Sequence, residues 1–315
     1  MPALSPPVWT LAALVLEAMV GYPDWLQRRL PHPVVAVGTA IDRLDHLWNR
    51  PTWSEAARKA LGVCAVLSLV CVACVVGAGL DRLLKPHVWG VPVWVAIATV
   101  GLAQRSLHQH VTAVERPLAA GDLASARGAV GRIVGRDVDR LDSSGVSAAA
   151  LESLAESFSD GIVAPAVWLL IGGLAGLFAY KVVNTADSMI GHLEPRYRAF
   201  GWAAARTDDL MNLVPARLSG ALIALAGAGG WGVMARDARR HASPNAGWPE
   251  AAMAGALRIQ LGGPAVYDGA TLERPRFGVG PAADVDDVKR GLVLYRRACG
   301  LLWSMLAVGA LLWRA

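Results

Sequence analysis

Long apolar runs alternate along this 315-residue chain with shorter stretches rich in charge, proline and glycine. The clearest run, Ala60–Leu80, carries no charged residue and matches the roughly 20 residues a helix needs to cross a bilayer. Val88–Leu102 follows after a polar turn at Asp81–His87, so the two runs predict a helical hairpin. Pro7–Val20 is short for a span and becomes adequate when taken from Leu4 to Gly21. Leu213–Met234 is a further span, and Gly300–Trp313 closes the chain as a short one. Val163–Tyr180 is equally apolar, but Pro165 and the pair Gly172-Gly173 interrupt it. That interruption predicts a re-entrant segment, because non-helical backbone at membrane depth needs a protein-lined cavity. Gly172 and Gly176 form a Gly-x-x-x-Gly, a spacing that lets two helix backbones approach closely.

The polar stretches have helical patterning of their own. A helix is expected over Leu123–Val134, and another after Ser147 as its N-cap. The pattern as a whole predicts an all-α polytopic integral membrane protein forming a single domain over residues 1–315. It implies about five membrane segments, with one further segment re-entrant.

Composition strengthens that class. Hydrophobic residues make up 54% of the chain and charged residues 17%, too few charges to cover a soluble surface. The net charge is +5, and most of the Lys and Arg lie in loops 21–59, 105–161 and 235–297. Basic loops stay on the cytoplasmic side of a membrane, where the lipid is anionic. Nucleic acid is not the expected partner, since no basic run is interleaved with aromatics. Trp25 beside Arg28 and Arg29 suits an interfacial anchor. The N-terminus lacks a basic leader and cleavage site, so its apolar run is expected to be retained. Cys64, Cys71, Cys74 and Cys299 lie in apolar runs, and the Cys71-x-x-Cys74 pair has no second pair or histidine to complete a zinc set.

Chemistry concentrates between Leu151 and Arg217, where ionisable groups crowd both ends of an apolar run. Charges at membrane depth are costly and by default functional. Glu152, Glu156 and Asp160 recur at i, i+4 and i+8, placing three carboxylates on one helix face. Asn184 and Asp187 lie one turn apart, and Asp208, Asp209 and Asn212 repeat the theme. Hard oxygen donors of this kind suit Mg²⁺ shared with phosphate, although a solvated acidic face fits the first trio equally well. Arg196, Arg198, Arg206 and Arg217 can pair with phosphate or carboxylate, or snorkel at the interface. In Arg236–Leu257, His241, Asn245 and Glu250 read as turn and helix-start residues before they read as ligands. Gly227–Gly232 satisfies G-x-G-x-x-G without the preceding strand that dinucleotide binding requires. No P-loop and no G-x-S-x-G is present.

The segments ESLAESFSDGIVAP, YKVVNTADSMIGH, RYRAFGWAAARTDDLMNLVPARL and ARRHASPNAGWPEAAMAGAL, with LPHPVVAVG near the start, closely resemble the CobD/CbiB family of cobalamin biosynthesis, adenosylcobinamide-phosphate synthase. The likeness spans nearly the whole chain. It implies an integral cell-membrane enzyme that joins adenosylcobyric acid to (R)-1-aminopropan-2-ol, usually as its O-phosphate, through an amide bond at the expense of ATP. It also leaves room for association with other cobalamin-pathway enzymes. Signature positions carried over are Glu152, Glu156, Asp160, Asn184, Asp187, Ser188, His192, Arg206, Asp208, Asp209, Asn212, Arg217, Asn245 and Glu250. One departure stands out. Where the family reads Asp-x-x-x-Gly-Asp-Pro this chain has Glu17, Gly21, Tyr22 and Pro23, so position 22 offers no carboxylate and Asp24 is the nearest substitute.

The resemblance does not itself assign roles; by their chemistry, Mg²⁺ is expected on Glu156, Asp160, Asp187, Asp208 and Asp209, and ATP phosphates on Arg206, Arg217, Asn184 and Asn245. His192 or Glu250 would take the amine proton. Arg206 would neutralise charge in the transition state. A Mg²⁺-dependent transferase acting on a lipid diphosphate, or a non-enzymatic sensor or transporter, is the alternative the same residues allow.

Overall fold

The computed structural model describes residues 5–23, 29, 32–267 and 269–313. Trp25, Arg28 and Asp24 lie outside the described residues. The chain divides into two compact units, one of residues 1–103, 164–212 and 306–315, the other of residues 104–163 and 213–305.

The first unit is built on the helix Glu55–Leu84 lying against Ala164–Ile190. Ser54 starts the former by accepting the Ala57 N–H at 3.2 Å, so the predicted span at Ala60–Leu80 sits inside a longer helix. Asp81 falls in its last turn rather than in a connecting loop. The two helices touch backbone to backbone at Gly77, where a Cβ would lie 2.5 Å from Ala175 Cα. The Gly-x-x-x-Gly expectation therefore names the wrong glycines. Gly172 faces open space, and Gly176 instead packs against the Trp168 carbonyl of its own segment. That fold-back follows from a break at Gly173, whose φ of 59° and ψ of −147° interrupt the helix. The interruption was anticipated, but it falls at the glycine and not at Pro165, which lies within regular helix. Asp81 caps the restarted helix. Its Oδ2 accepts from Leu174 N at 3.2 Å, and its Oδ1 from the Trp94 indole at 2.5 Å and from Lys85 Nζ at 3.0 Å. An apolar core of Ile41, Ala65, Val66, Ala186, Ile190, Phe200, Ala203 and Ala204 joins these helices to Pro33–Trp48 and Trp202–Met211.

The second unit packs Gln104–Ala119, Leu123–Val130 and Ser143–Phe158 around Val114, Val130, Val146 and Ala150. The helix expected to begin after Ser147 starts five residues earlier, at Ser143, because Asp142 accepts the Gly145 N–H at 2.7 Å and caps it. Leu213–Ala226 and Trp231–Asp237 pack on Gly247–Leu257, a helix that is buried on nearly all sides. The loop expected from 236 to 297 holds that helix and also the only strands among the described residues. Leu261–Gly262 pairs antiparallel with Arg276–Phe277, and Ala265–Tyr267 with Ala270–Leu272. Helix dominates as expected, and these two short ribbons are the departure from all-α.

Among the described residues, three helical stretches are long and apolar enough to cross a membrane: Glu55–Leu84, Ser143–Ile190 and Val285–Leu312. Trp202–Met211 and Leu213–Ala226, taken together as one broken span, would make a fourth. Pro6–Val20 and Gly90–Thr99 are apolar but run only 15 and 10 residues. The second arm of the expected hairpin, Val88–Leu102, is thus shorter than a span.

Candidate active site

Two polar clusters carry the expected residues, one in each unit. In the first unit, Trp202–Met211 presents Asp208 and Asp209, and Ala164–Ile190 presents Lys181, Asn184 and Asp187. Asn212 ends the former helix and is 1% exposed. Its side-chain oxygen accepts from the Tyr180 hydroxyl at 3.1 Å, and its amide nitrogen donates to Asp208 Oδ2 at 2.9 Å. The chain of two bonds fixes how the amide faces and leaves Asp208 Oδ1 buried without a protein partner. Asn184 and Lys181 neighbour that carboxylate, and Lys181 Nζ donates to Asn184 Oδ1 at 3.3 Å. Asp209 accepts from Arg206 at 3.2 Å one turn back. Asp187 lies so close over Gly191 that a Cβ there would come within 2.0 Å of its Oδ1.

The remaining first-unit residues behave otherwise. His192 is exposed, with its Nε2 3.1 Å from the Ser188 carbonyl. Arg196 is a structural tie: its Nη2 donates to Asp45 Oδ2 at 2.5 Å, and Asn49 closes the knot by donating to Asp45 Oδ1 at 2.6 Å. Arg198 reaches Glu55 at 3.4 Å on the surface. Tyr22 supplies a ring, packed edge-on at 4.9 Å against His32, where the family pattern has a carboxylate. Burial and the positive charge of Lys181 lower the His32 pKa.

In the second unit the expected carboxylate face does not persist. Ser143–Phe158 is regular α-helix, but Ser159–Val163 is a π-turn, so Asp160 leaves the i+8 register. Glu152 is buried, Glu156 exposed and Asp160 intermediate. Wide turns of this kind recur at functional sites. Glu152 is engaged on both oxygens. Its Oε2 accepts from Arg136 Nη2 and Arg274 Nη2, each at 2.7 Å, and its Oε1 from Gly262 N at 2.7 Å. Glu250, in the first turn of Gly247–Leu257, is 3% exposed, with one oxygen 3.8 Å from His241 Nε2 and the other unpartnered. Burial, reinforced by Glu152 and Glu156, raises its pKa well above the ordinary carboxylate range. His241 accepts the Ser243 N–H on Nδ1 at 2.9 Å, which assigns the proton of the neutral ring to Nε2, facing Glu250. Burial lowers the His241 pKa. The turn reading of His241 and Asn245 holds locally, since Ser243 Oγ also accepts from Asn245 N and Ala246 N. Asn245 additionally accepts from Arg217 at 3.3 Å, and Arg217 lies 4.7 Å over the Trp248 ring.

The expected sets therefore divide. Asp187, Asp208 and Asp209 share one unit, and Glu156 and Asp160 the other; Arg206 and Asn184 go with the former, Arg217 and Asn245 with the latter. Among the described residues no three His, Cys, Asp or Glu side chains converge as a self-sufficient metal cage. A cavity of about 410 Å³ beside Val285–Leu312, lined in part by Lys289, Arg290 and Arg297, contains none of the expected residues. Arg136, Arg274 and Tyr180 were not singled out from sequence. The arginines sit in loops where such residues read as ordinary surface charge, and Tyr180 ends an apolar run.

The family model for CobD/CbiB proteins matches residues 10–295. This chain belongs to the CobD/CbiB family. Proteins named cobalamin biosynthesis protein CobD resemble it over almost their full length. That of Rhodobacter capsulatus is 47% identical over 308 residues, covering 96% of this chain and 97% of its own. That of Sinorhizobium fredii is 48% identical over 312 residues, 95% of each. The Brucella suis protein is 46% identical, again over 95% of each chain. No solved structure matches. Among the described residues of this CobD/CbiB chain, the two carboxylates that keep a buried oxygen without a protein partner, Asp208 and Glu250, are both expected signature positions.

Proposed function

We propose that this chain is an ATP-dependent amide synthase of cobalamin biosynthesis, joining adenosylcobyric acid to (R)-1-aminopropan-2-ol or its O-phosphate at the cytoplasmic face of the cell membrane. The observation that carries the reading is the family match across residues 10–295. Its near-complete relatives bear a cobalamin-biosynthesis name. The buried, half-satisfied carboxylates Asp208 and Glu250 supply the chemistry such a reaction would need.

Carboxylate and ammonium do not condense usefully in water, so the carboxylate requires activation. In the proposed course its oxygen attacks the γ-phosphorus of ATP and ADP leaves. The amine nitrogen then attacks the acyl carbon, phosphate leaves, and the amine proton passes to a base. Positioning and neutralisation of phosphate charge are the protein's main tasks in such a reaction. Asp208, with Oδ1 buried and no partner for it among the described residues, is the carboxylate proposed to hold a Mg²⁺ ion, which would take its remaining ligands from phosphate and water; Asp209 and Asp187, in the same unit, are proposed to support it. That ion, when bound, would neutralise phosphate oxygens. Arg206 and Asn184, in the same unit as Asp208, are the proposed phosphate contacts there. Glu250 is preferred to the exposed His192 as proton acceptor, because its buried Oε2 has no partner among the described residues.

Detergent-purified protein given ATP, Mg²⁺, adenosylcobyric acid and the amine tests the proposal. Amide product with stoichiometric ADP is expected. Binding of the corrinoid without turnover would point instead to a sensor or carrier.

A further inference from the structure

The cavity of about 410 Å³ beside Val285–Leu312 contains none of the residues assigned to the reaction, and its lining joins two chemistries. Lys289, Arg290 and Arg297 are cations, and no carboxylate is among its described lining residues. Val293, Leu294 and Ala256 supply apolar wall between them. Arg290, Val293, Leu294 and Arg297 recur at i, i+3, i+4 and i+7, so they share one face of the helix. Two of the cations are already engaged. Lys289 pairs with Asp286 at 3.1 Å and Glu115 at 4.0 Å. Arg290 donates to Asp287 at 2.5 Å and to the Leu257 carbonyl at 2.9 Å. Arg297 is exposed and meets no acceptor among the described residues.

The same helix turns apolar directly after Arg297. From Gly300 to Trp313 it carries no charge, and Met305, Val308 and Leu311 are exposed. An exposed apolar face of that length belongs in hydrocarbon, which puts Arg297 at the level of the lipid headgroups. Lys and Arg clustered beside a membrane helix attract anionic lipid. A soluble phosphate would use the cations alone. A phospholipid uses the cations and also the open apolar face that continues from them, past Gly300, where even a Cβ would meet nothing. A zwitterionic headgroup would bring its own cation toward Lys289 and Arg290. We infer that this cavity seats the headgroup of one anionic phospholipid, its phosphate on Arg297 and its acyl chains along the exposed face below. The inference rests on the membrane character of the helix and not on the amide-synthase reading.

The test titrates the full chain in detergent with phosphatidylglycerol or phosphatidylcholine of the same acyl chains and counts bound lipid by native mass spectrometry. One phosphatidylglycerol should be held in preference to phosphatidylcholine. Arg297→Gln should weaken its binding roughly 5-fold, the share expected of one cation at a membrane surface. Arg297→Glu, which reverses the charge, should weaken it further. Arg296 is an equally exposed cation of the same helix that does not line the cavity. Arg296→Gln should therefore change binding by less than about 2-fold. Equal weakening by Arg296→Gln would mean diffuse attraction to the surface and overturns the inference. Equal retention of the two lipids overturns it as well. Displacement of phosphatidylglycerol by inorganic phosphate would identify a site for soluble anions and also overturn it.

Discussion

Asp208 and Glu250 resemble each other in chemistry and in predicament. Each is a carboxylate with one oxygen committed within the protein or beside a histidine and one left buried without a partner. Folding does not leave such atoms behind without cost, so a ligand is their natural complement. Asp208→Asn keeps the shape and the Tyr180–Asn212 chain but removes the charge. We expect amide formation to fall at least about 100-fold with little change in melting temperature; near-full activity would remove Asp208 from the site. For Glu250 the sign of the pH effect follows from its raised pKa. Above pH 4.5, its ordinary value, the unfolded chain has lost a proton that the folded chain still holds. Stability therefore drains away as pH rises through that window. Glu250→Gln should lose turnover yet gain stability relative to the unaltered protein, by more at about pH 8 than at about pH 5, in paired thermal melts. Asp237 has the opposite sign. Arg236, hydrogen-bonded to it, is the main cause that lowers its pKa from 3.8 to about 2. Its contribution is complete above 3.8 and is lost as pH falls through about 2. Asp237→Asn should flatten the acid limb of the unfolding profile.

At the scale of elements, what the sequence revealed and what it hid have separate physical causes. Apolar runs and their breakers are local properties, so the helix at 55–84 is legible in the sequence, as is an interruption at the Gly172-Gly173 pair; of the helix at 285–312 only the apolar end, Gly300–Trp313, is legible, because its polar first half reads as loop. The π-turn at Ser159–Val163 is not legible, because one extra residue per turn leaves no compositional mark; it displaced Asp160 from a face that spacing alone had assigned. Asp81 was equally invisible. Its value lies in partners far along the chain, the Leu174 N–H and the Trp94 indole. Asp81→Ala would strand both donors, and a loss of about 2–4 kcal/mol is expected from two unmet hydrogen bonds. Gly173→Ala strains the same joint, since its φ is 59° and a Cβ would meet Asp81 Oδ2 at 2.4 Å. Both variants should melt lower than the unaltered protein in detergent. A Gly173→Ala protein of unchanged stability would mean that the break is not held there.

The whole chain is a CobD/CbiB protein of membrane character, and membrane character makes its own demand. The protein should remain with the lipid fraction through carbonate washing, and a tag in the Gly191–Pro195 turn should react from the cytoplasmic side; reaction from the opposite side alone would contradict the proposed orientation. Membership was legible because several long motifs occur in order, from LPHPVVAVG to the Asn245 turn. Individual roles were less so. Arg196 had the right charge for phosphate but is bound to Asp45, while Arg136 and Arg274 became notable only through their shared partner Glu152. In the proposed reaction ATP activates the corrinoid carboxylate by phosphoryl transfer. Adenosylcobyric acid labelled with ¹⁸O in its reacting carboxylate, turned over by the purified protein with ATP and amine, tests this most directly. One labelled oxygen per amide formed is predicted in the released inorganic phosphate. Label in AMP, or product formed with no label in any phosphate, would contradict it.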